Sequence, residues 1–312
     1  MRGASMNPMT TELLAKWYLE ACALDVAALK PGNVSIHSAG HGMDAELFVQ
    51  SALASAEMIT EPGQVLGNRI YGAVKATQDA VRCNTNLGII LLCAPIIQAA
   101  IDYPEERLET ALLKVLSAVR AEETNRVFAA IRLANPGGLG RTESHDVAGP
   151  ATSPLVEVMA LAADRDLIAR QYANGFHELS SVILPYLIDA FQRHADEETA
   201  VTDLFLYLLE SFQDSHIQRK QGTARAIAVS RWAADVHQKY LTAADDSARH
   251  LLLIEMDRQL KQQGINPGTT ADFCVAGVFI HRLQRQTINS AGVARNYPRM
   301  RRPIQAKTPL IL

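Results

Sequence analysis

The sequence predicts an all-α protein, a single globular multi-helix array with long functional loops. Apolar residues recur at intervals of three and four along almost the whole chain, as they do on one face of a helix. Alternating or β-branched runs bounded by turn residues, which would predict strands, are nearly absent. Hydrophobic residues make up 48% of the 312 positions, which is enough to form a buried core.

The first two predicted helices have clear ends. Apolar positions from Leu13 to Val26 share one helical face, and the Lys30-Pro31-Gly32 segment stops that helix. Asp44 precedes the second apolar run, where its carboxylate can accept hydrogen bonds from the free N–H groups of the first turn. Pro62-Gly63 ends this second helix.

The same periodicity continues through ten further stretches bounded by capping or turn residues. They are 66–81, 85–101, 104–119, 124–133, 155–163, 176–194, 199–212, 223–239, 247–263 and 269–283. The longest apolar run, 89–101, is shorter than the roughly 20 residues that a membrane span needs. We therefore predict a buried core helix there and no membrane segment.

Composition divides the chain into one long helical region and two distinct termini. Residues 1–11 are expected to carry no fold information, 12–290 to form one all-α catalytic domain, and 291–312 to be a basic tail. The net charge is −3, whereas binding to a phosphate backbone needs surplus Lys and Arg, so no nucleic-acid partner is expected. Widely spaced cysteines indicate free thiols in a reducing cytoplasm, and apolar helix faces are compatible with a homodimer.

The longest irregular segment, residues 135–147, is rich in glycine. It carries four side chains that can bind anions or transfer protons, namely Arg141, Glu143, His145 and Asp146. Loops of this length within a helical fold are often functional. We expect these side chains to contribute to the choice of ligand.

Five polar clusters interrupt the periodicity at helix ends or in loops. They are Lys30-Pro-Gly-Asn-Val-Ser35 with His41-Gly-Met-Asp44, Gly67-Asn-Arg-Ile-Tyr-Gly72, Asn84-Thr-Asn-Leu-Gly88, Asp214-Ser-His-Ile-Gln-Arg-Lys-Gln-Gly222 and Asn266-Pro-Gly-Thr-Thr-Ala-Asp272. Helix N-termini and glycine-rich loops present N–H groups to anions, Lys and Arg add positive charge, and Asp can hold Mg²⁺ against phosphates. Together the clusters predict a site for a polyphosphate ligand.

In this order the clusters resemble the motifs of the triphosphoribosyl-dephospho-CoA synthase family. Its members carry a KPG-V segment, an H-x-DM-like segment, an NTHKG segment, a DTN-x-x-x-RGG-like segment and a late PGG-x-AD segment. The resemblance covers residues 24–279 of this chain. This chain has Asn86-Leu87 in place of the His-Lys of NTHKG, and Ser215-His216 in place of the Thr-Asn of DTN. It also has Arg219-Lys220-Gln221-Gly222 in place of the RGG segment, and Thr269-Thr270 in place of the late Gly pair. The departures indicate a divergent branch.

The resemblance implies a cytoplasmic transferase with ATP as substrate, Mg²⁺ as cofactor and small molecules as partners. ATP would lose adenine from the C1 carbon of its ribose, and a hydroxyl of dephospho-CoA would take its place, giving an α-linked triphosphoribosyl group. That product is the precursor of the prosthetic group of citrate lyase and malonate decarboxylase. Positive charge builds on the ribose as the bond breaks, and nearby carboxylates can stabilise it.

The resemblance also implies a role for individual residues of these clusters. Phosphate, ribose or nucleotide contacts fall to Lys30, Arg69, Asn84, Thr85, Gly88, Arg219 and Lys220. Mg²⁺ binding and catalysis fall to Asp44, Asp214 and Asp272, with His216, His41 and His145 as loop imidazoles suited to proton transfer. Structural alternatives stay open, because Asp44 and Asp272 can cap helices and Lys30 can complement a helix C-terminus.

Three other functions are compatible with these residues. The first is (phospho)ribosyl transfer from ATP or phosphoribosyl diphosphate to another hydroxyl acceptor, as tetrahydromethanopterin biosynthesis requires. The second is nucleotide binding without turnover, which the absence of His and Lys between Thr85 and Gly88 favours. The third is a Mg²⁺-dependent ADP-ribose hydrolase, whose paired-aspartate signature is not seen around Asp272.

Overall fold

Helices form nearly all the regular structure of the computed structural model, which describes residues 10–137 and 147–290. Fourteen α-helices lie in these two segments: α1 (Thr11–Ala27), α2 (Ala45–Thr60), α3 (Leu66–Val81), α4 (Leu87–Asp102), α5 (Leu108–Ala118), α6 (Ala121–Ala134), α7 (Leu155–Ala160), α8 (Leu167–Asn174), α9 (Leu184–Arg193), α10 (Glu197–Ser211), α11 (Ser215–Gln221), α12 (Thr223–Thr242), α13 (Asp246–Gln262) and α14 (Gly268–Ser290). The described residues include no strand, only two isolated bridges. The prediction of an all-α fold is confirmed.

Side-chain caps start many of these helices where the sequence places Asp or Thr. The hydroxyl of Thr10 accepts from the N–H of Leu13 at 3.2 Å, and Asp44 accepts from the N–H of Leu47 at 3.1 Å. The other capping carboxylates belong to Asp166, Asp196, Asp214 and Asp245. Each cap pairs an N–H group that has no partner inside its helix, so the helix boundaries follow from local chemistry.

Two short helices, α8 and α11, lie where the sequence predicted only polar or irregular segments. They have eight and seven residues, too few for hydrophobic periodicity to be recognised. The predicted helix 176–194 divides into a π-helical turn, Leu179–Ile183, followed by α9. Both short helices prove to carry site residues.

The core is built around α4, which contacts α1, α2, α3, α5, α8 and α14. Thirteen of its sixteen residues are buried. The apolar side chains of the surrounding helices extend this core into one continuous cluster that includes both α1 and α14. This packing brings α1, α4 and α14 together although they lie far apart in the sequence.

Some predictions fall outside the described residues. Arg141, Glu143, His145 and Asp146 lie in 138–146, and the basic tail begins at residue 291. Residues 1–9 are likewise outside the described part. Within the described segments, no helix combines the length and the apolar character that crossing a bilayer requires.

Candidate functional site

The carboxylate of Asp214 accepts hydrogen bonds from the N-termini of both α11 and α14 and so joins them. Asp214 is 1% exposed and caps α11 by accepting from the N–H of Ile217 at 3.0 Å. Its second carboxylate oxygen accepts from the N–H and the hydroxyl of Thr270, each at 2.7 Å. Asp214 therefore places the fourth and fifth polar clusters side by side.

Arg219 connects α11 to α8. Its Nη1 donates to a carboxylate oxygen of Asp166 at 2.8 Å, and the N–H of Leu167 donates to the hydroxyl of Ser215 at 2.8 Å. The Nε of Arg219 is buried and has no hydrogen-bond partner in the described part of the chain. One edge of the guanidinium is therefore without a hydrogen-bond partner among the described residues.

Asp272 lies in the second turn of α14, against the start of α4. A Cβ atom on Gly88 would lie 2.0 Å from the Oδ2 of Asp272, so only glycine fits at this position. Asp272 makes no hydrogen bond or ion pair with any described residue. Burial and the negative charges of Asp25 and Asp214 raise the pKa of Asp272 well above its usual value.

Asp25 and Lys30 form a buried ion pair beside this carboxylate. The Nζ of Lys30 lies 3.2 Å from the Oδ1 of Asp25 and also donates to the backbone carbonyl of Asp25. Lys30 is 0% exposed and Asp25 is 4% exposed. Burial raises the pKa of Asp25, and the ammonium of Lys30 opposes that rise.

His216 lies next to the start of α14. A Cβ atom on Gly268 would lie 2.8 Å from its Nδ1, and its Nε2 is buried without a partner among the described residues. Burial, together with the positive charges of Lys220 and Arg219, lowers the pKa of His216 to about 3. Its imidazole is therefore neutral at neutral pH and a weak base, and its Nε2 can accept a hydrogen bond.

The Lys30-Pro31-Gly32 segment is fixed to the loop before α14. Gly32 has a positive φ of 81°, and a Cβ there would lie 2.9 Å from the ring of Pro267. The N–H of Gly32 donates to Asp257 at 2.8 Å, and the amide of Asn33 donates to Asn266 at 3.0 Å. The first polar cluster therefore adjoins the fifth.

Comparison with known proteins adds a family to this geometry. The family model described as ATP:dephospho-CoA triphosphoribosyl transferase matches residues 11–290, most of the chain. The chain belongs to this transferase family. Proteins named as 2-(5''-triphosphoribosyl)-3'-dephosphocoenzyme-A synthases from Streptococcus equi subsp. zooepidemicus and subsp. equi are 28% and 27% identical over 114 residues. Those matches span 36% of this chain and only 37% of each relative's length.

A solved structure supports the same family at the level of the fold. A protein from Archaeoglobus fulgidus, named as a triphosphoribosyl-dephospho-CoA synthase, superposes with a TM-score of 0.58 at 25% sequence identity. The superposition covers 75% of this chain and 96% of the archaeal one. The predicted family resemblance is confirmed.

Three residues of the family-like motifs use their polar groups inside the protein. Asn84 accepts from the N–H of Leu87 at 3.2 Å, and Thr85 donates to the hydroxyl of Ser51 on α2 at 2.5 Å. Asn86 donates to Ser51 and Ser55. These bonds dock the segment before α4 onto α2.

Two other expected site residues, Arg69 and Asp44, have structural contacts instead of a place beside Asp214 and Asp272. Arg69 is 0% exposed and donates to the side chain of Gln98 and to the backbone carbonyls of Ile59 and Gln64. Asp44 is exposed and caps α2. No contact among the described residues joins either side chain to Asp214 or Asp272.

A preformed metal site is not found in the described segments, where no three His, Cys, Asp or Glu side chains converge on one point. Both oxygens of Asp214 already accept hydrogen bonds, whereas the carboxylate of Asp272 accepts none from the described residues. Mg²⁺ commonly binds through one or two carboxylates plus substrate phosphates. The donor set therefore suits Mg²⁺ that arrives with a polyphosphate.

Sequence reasoning missed Asp25 and Asp166. Asp25 had a recognisable signal, because it is a lone charge in the apolar run Ala21-Cys-Ala-Leu-Asp-Val-Ala-Ala-Leu29. Asp166 precedes an apolar pair as a helix N-cap does. Its bond to Arg219 had no signal, since the two residues are 53 positions apart.

Proposed function

We propose that this chain transfers a triphosphoribosyl group from ATP to a hydroxyl of dephospho-CoA in the cytoplasm. One observation carries the proposal: the carboxylate of Asp272, which pairs with no described residue, lies beside Asp214 and near Arg219. The guanidinium of Arg219 pairs with Asp166 through Nη1 only, and the chain belongs to this family. Such a site combines a proton donor, a negative charge for a ribosyl cation and a positive charge for phosphate.

Each proton and bond of the reaction has a place in this site. The bond from ribose C1 to adenine N9 breaks with its electron pair on adenine, and the raised pKa of Asp272 favours its protonated form, which would donate a proton to that base. The resulting carboxylate then faces the positive ribose. The acceptor hydroxyl, held by a hydrogen bond to the free Nε2 of His216, bonds to C1 and releases its proton to water, and exchange with water returns a proton to Asp272.

The triphosphate would bind through Arg219 and Lys220. The side chain of Lys220 is exposed and lies against Gly137, where a Cβ would be 2.9 Å from its Cε. The N-terminus of the long helix α14 adds a favourable field for anions. Mg²⁺ bound to the substrate phosphates would supply further positive charge there. We assign Lys30 and Arg69 to internal pairing, since neither is solvent-exposed.

The test is adenine release from ATP in the presence of Mg²⁺ and dephospho-CoA, followed by chromatography and mass spectrometry. We expect release to require dephospho-CoA and to fall about 100-fold or more in Asp272→Asn, which cannot donate the proton. Glu255→Gln is the control, because Glu255 is an exposed residue of α13 paired with Arg258. Full activity in Asp272→Asn would rule out the assigned role.

A second candidate function is ligand binding without this reaction, or transfer from another donor. It is favoured by the buried side chains of Asn86 and Leu87, which offer neither an imidazole nor an ammonium to a ligand. Saturable ATP binding without adenine release would support the binding function. Diphosphate release from phosphoribosyl diphosphate with another hydroxyl acceptor, such as a tetrahydromethanopterin precursor, would support the other donor.

A further inference from the structure

Asp166 makes two separate sets of contacts through its two oxygens. Oδ1 caps α8 by accepting from the N–H groups of Ile168 and Ala169, both at 3.0 Å. Oδ2 accepts from the Nη1 of Arg219 at 2.8 Å. The cap fixes the carboxylate on the rigid start of α8, and the carboxylate in turn fixes the guanidinium.

The contact with Asp166 leaves a particular edge of Arg219 unused. A guanidinium grips a phosphate best through two parallel N–H groups, and the Nε–Nη2 edge offers such a pair. Nη1 is taken by Asp166, while Nε is buried and pairs with no described residue. A buried cationic donor without an acceptor is costly, so this edge is suited to a ligand that supplies one.

The charges around this edge are the cation of Lys220 and the carboxylates of Asp214 and Asp272, on which Arg219 also acts electrostatically. Lys220, the residue after Arg219, adds a second positive charge, and both cations help to lower the pKa of His216. The side chain of Arg219 is 23% exposed in total, while its Nε is buried. Asp166 is the one carboxylate that contacts the guanidinium in the described part of the chain.

We propose that Asp166 is a positioning residue that turns the Nε–Nη2 edge of Arg219 toward a phosphate group of the substrate. The inference rests on the proposed function, in which Arg219 contacts phosphate. The ligand chemistry is a polyphosphate ester, which either ATP or phosphoribosyl diphosphate could supply.

Asp166→Asn separates positioning from the two other effects of this residue. Asn caps a helix as well as Asp does, so α8 is retained. Removing a negative charge near the site would by itself tighten anion binding. Loss of the guanidinium's orientation would weaken anion binding instead. A decrease in affinity therefore identifies positioning, and an increase identifies the charge effect.

The experiment is calorimetric titration of the full-length protein and its variants with inorganic tripolyphosphate and with diphosphate, in the presence of Mg²⁺. We expect Asp166→Asn to bind tripolyphosphate about tenfold more weakly, the loss of one charged hydrogen bond, with an unchanged melting temperature. The control is Asp245→Asn, another Asp cap whose carboxylate accepts from the N–H of Ala248 at 2.8 Å. It should bind as the unmodified protein does.

A double-mutant cycle completes the test. In the Arg219→Gln background, Asp166→Asn should cause no further weakening, because the edge that it orients is gone. Equal or tighter tripolyphosphate binding by Asp166→Asn would overturn the inference. A stronger response to diphosphate than to tripolyphosphate would identify the phosphoribosyl donor. Weakened binding without any adenine release from ATP and dephospho-CoA would overturn the proposed function and leave the role of Asp166 standing.

Discussion

At the scale of single residues, the contact between Gly88 and Asp272 sets the geometry of the site. The missing side chain of Gly88 lets the carboxylate lie against the first turn of α4, where a Cβ would come within 2.0 Å of Oδ2 and 2.5 Å of Cγ. Contacts below 3.0 Å require atoms to move. The side chain that must move is the one assigned to proton transfer.

Gly88→Ala is therefore predicted to reduce adenine release about 100-fold, because it displaces Asp272 from the reacting bond. The measurement is adenine release together with a thermal melt. Gly72→Ala on α3 is the matched control, since its new Cβ would meet only the flexible side chain of Met58, whose terminal methyl is nearest at 2.9 Å. The control should keep its activity and lose no stability, as alanine favours a helix over glycine. Equal activity in both variants would contradict the role of the contact.

The buried pair of Asp25 and Lys30 gives a second prediction. Lys30→Met leaves the Asp25 carboxylate buried without its partner, and we expect the free energy of unfolding to fall by about 3–5 kcal/mol in a denaturant titration. Asp25→Asn/Lys30→Met should recover much of this loss, because no unpaired charge remains. The exposed pair Lys75–Asp79 is the control, and Asp79→Asn should change nothing measurable. An additive double variant would argue against a buried pair.

At the scale of helices, α9, α10 and α12 are joined by a polar network around Asp203, which is 0% exposed. Its carboxylate accepts from four side chains: Tyr186 at 2.8 Å, His237 at 2.8 Å, Arg193 at 2.9 Å and His194 at 2.7 Å. Burial alone would raise the pKa of Asp203, but these bonds hold it far below its usual range. Thr202, the residue before Asp203, donates to the carbonyl of Leu29 at 3.2 Å. The network therefore adjoins the backbone of the residue that precedes Lys30.

The network predicts a loss of stability as pH rises. The Nε2 of His237 lies 2.8 Å from Asp203 and its Nδ1 lies 3.2 Å from Glu210, so a proton on either nitrogen has a carboxylate acceptor. Burial alone would lower the pKa of His237, but the two carboxylates raise it. The stabilisation is complete below the ordinary imidazole pKa of about 6.5 and is lost as pH rises through the higher folded value.

Thermal melts across this pH range provide the measurement. We expect the melting temperature to fall as pH rises, and His237→Gln to flatten that fall. His250→Gln, at an exposed position of α13, should leave the pH dependence as it is. An identical slope in His237→Gln would show that the network does not titrate in this range.

At the scale of the whole molecule, the central helix α4 depends on a neighbour for one of its hydrogen bonds. Pro95 lies inside α4 and has no N–H to donate to the carbonyl of Leu91 one turn earlier. The hydroxyl of Tyr172 on α8 donates to that carbonyl at 2.6 Å, and both groups are buried. This hydrogen bond joins the core helix α4 to α8, the helix that Asp166 caps.

Tyr172→Phe should therefore destabilise the protein by about 1–3 kcal/mol, because a buried carbonyl loses its donor. In a Pro95→Ala background the alanine N–H can take that place, so the cost of Tyr172→Phe should shrink. Denaturant titration of the four proteins in this cycle gives the coupling energy. Additive costs would indicate that Tyr172 contributes only its packing.

Sequence alone predicted the long helices well and the short ones poorly. Periodicity and caps are local signals, so α1 to α4 and α12 to α14 follow from residues within one or two turns of each other. Helices α8 and α11 are too short for that signal and are held by Asp166, Ser215 and Arg219 across about 50 positions. The same distance explains why Asp166 was not predicted as part of the site.

The sequence by itself determined the helical class, the family and the residue types that the chemistry needs, because periodicity, capping and motif order are properties of neighbouring residues. The tertiary structure decided which charges are available to a ligand. Lys30 and Arg69 are equally basic in the sequence, yet both are enclosed by partners, whereas Arg219 keeps one edge free. Burial and pairing depend on residues brought together by packing, so sequence position alone does not determine them.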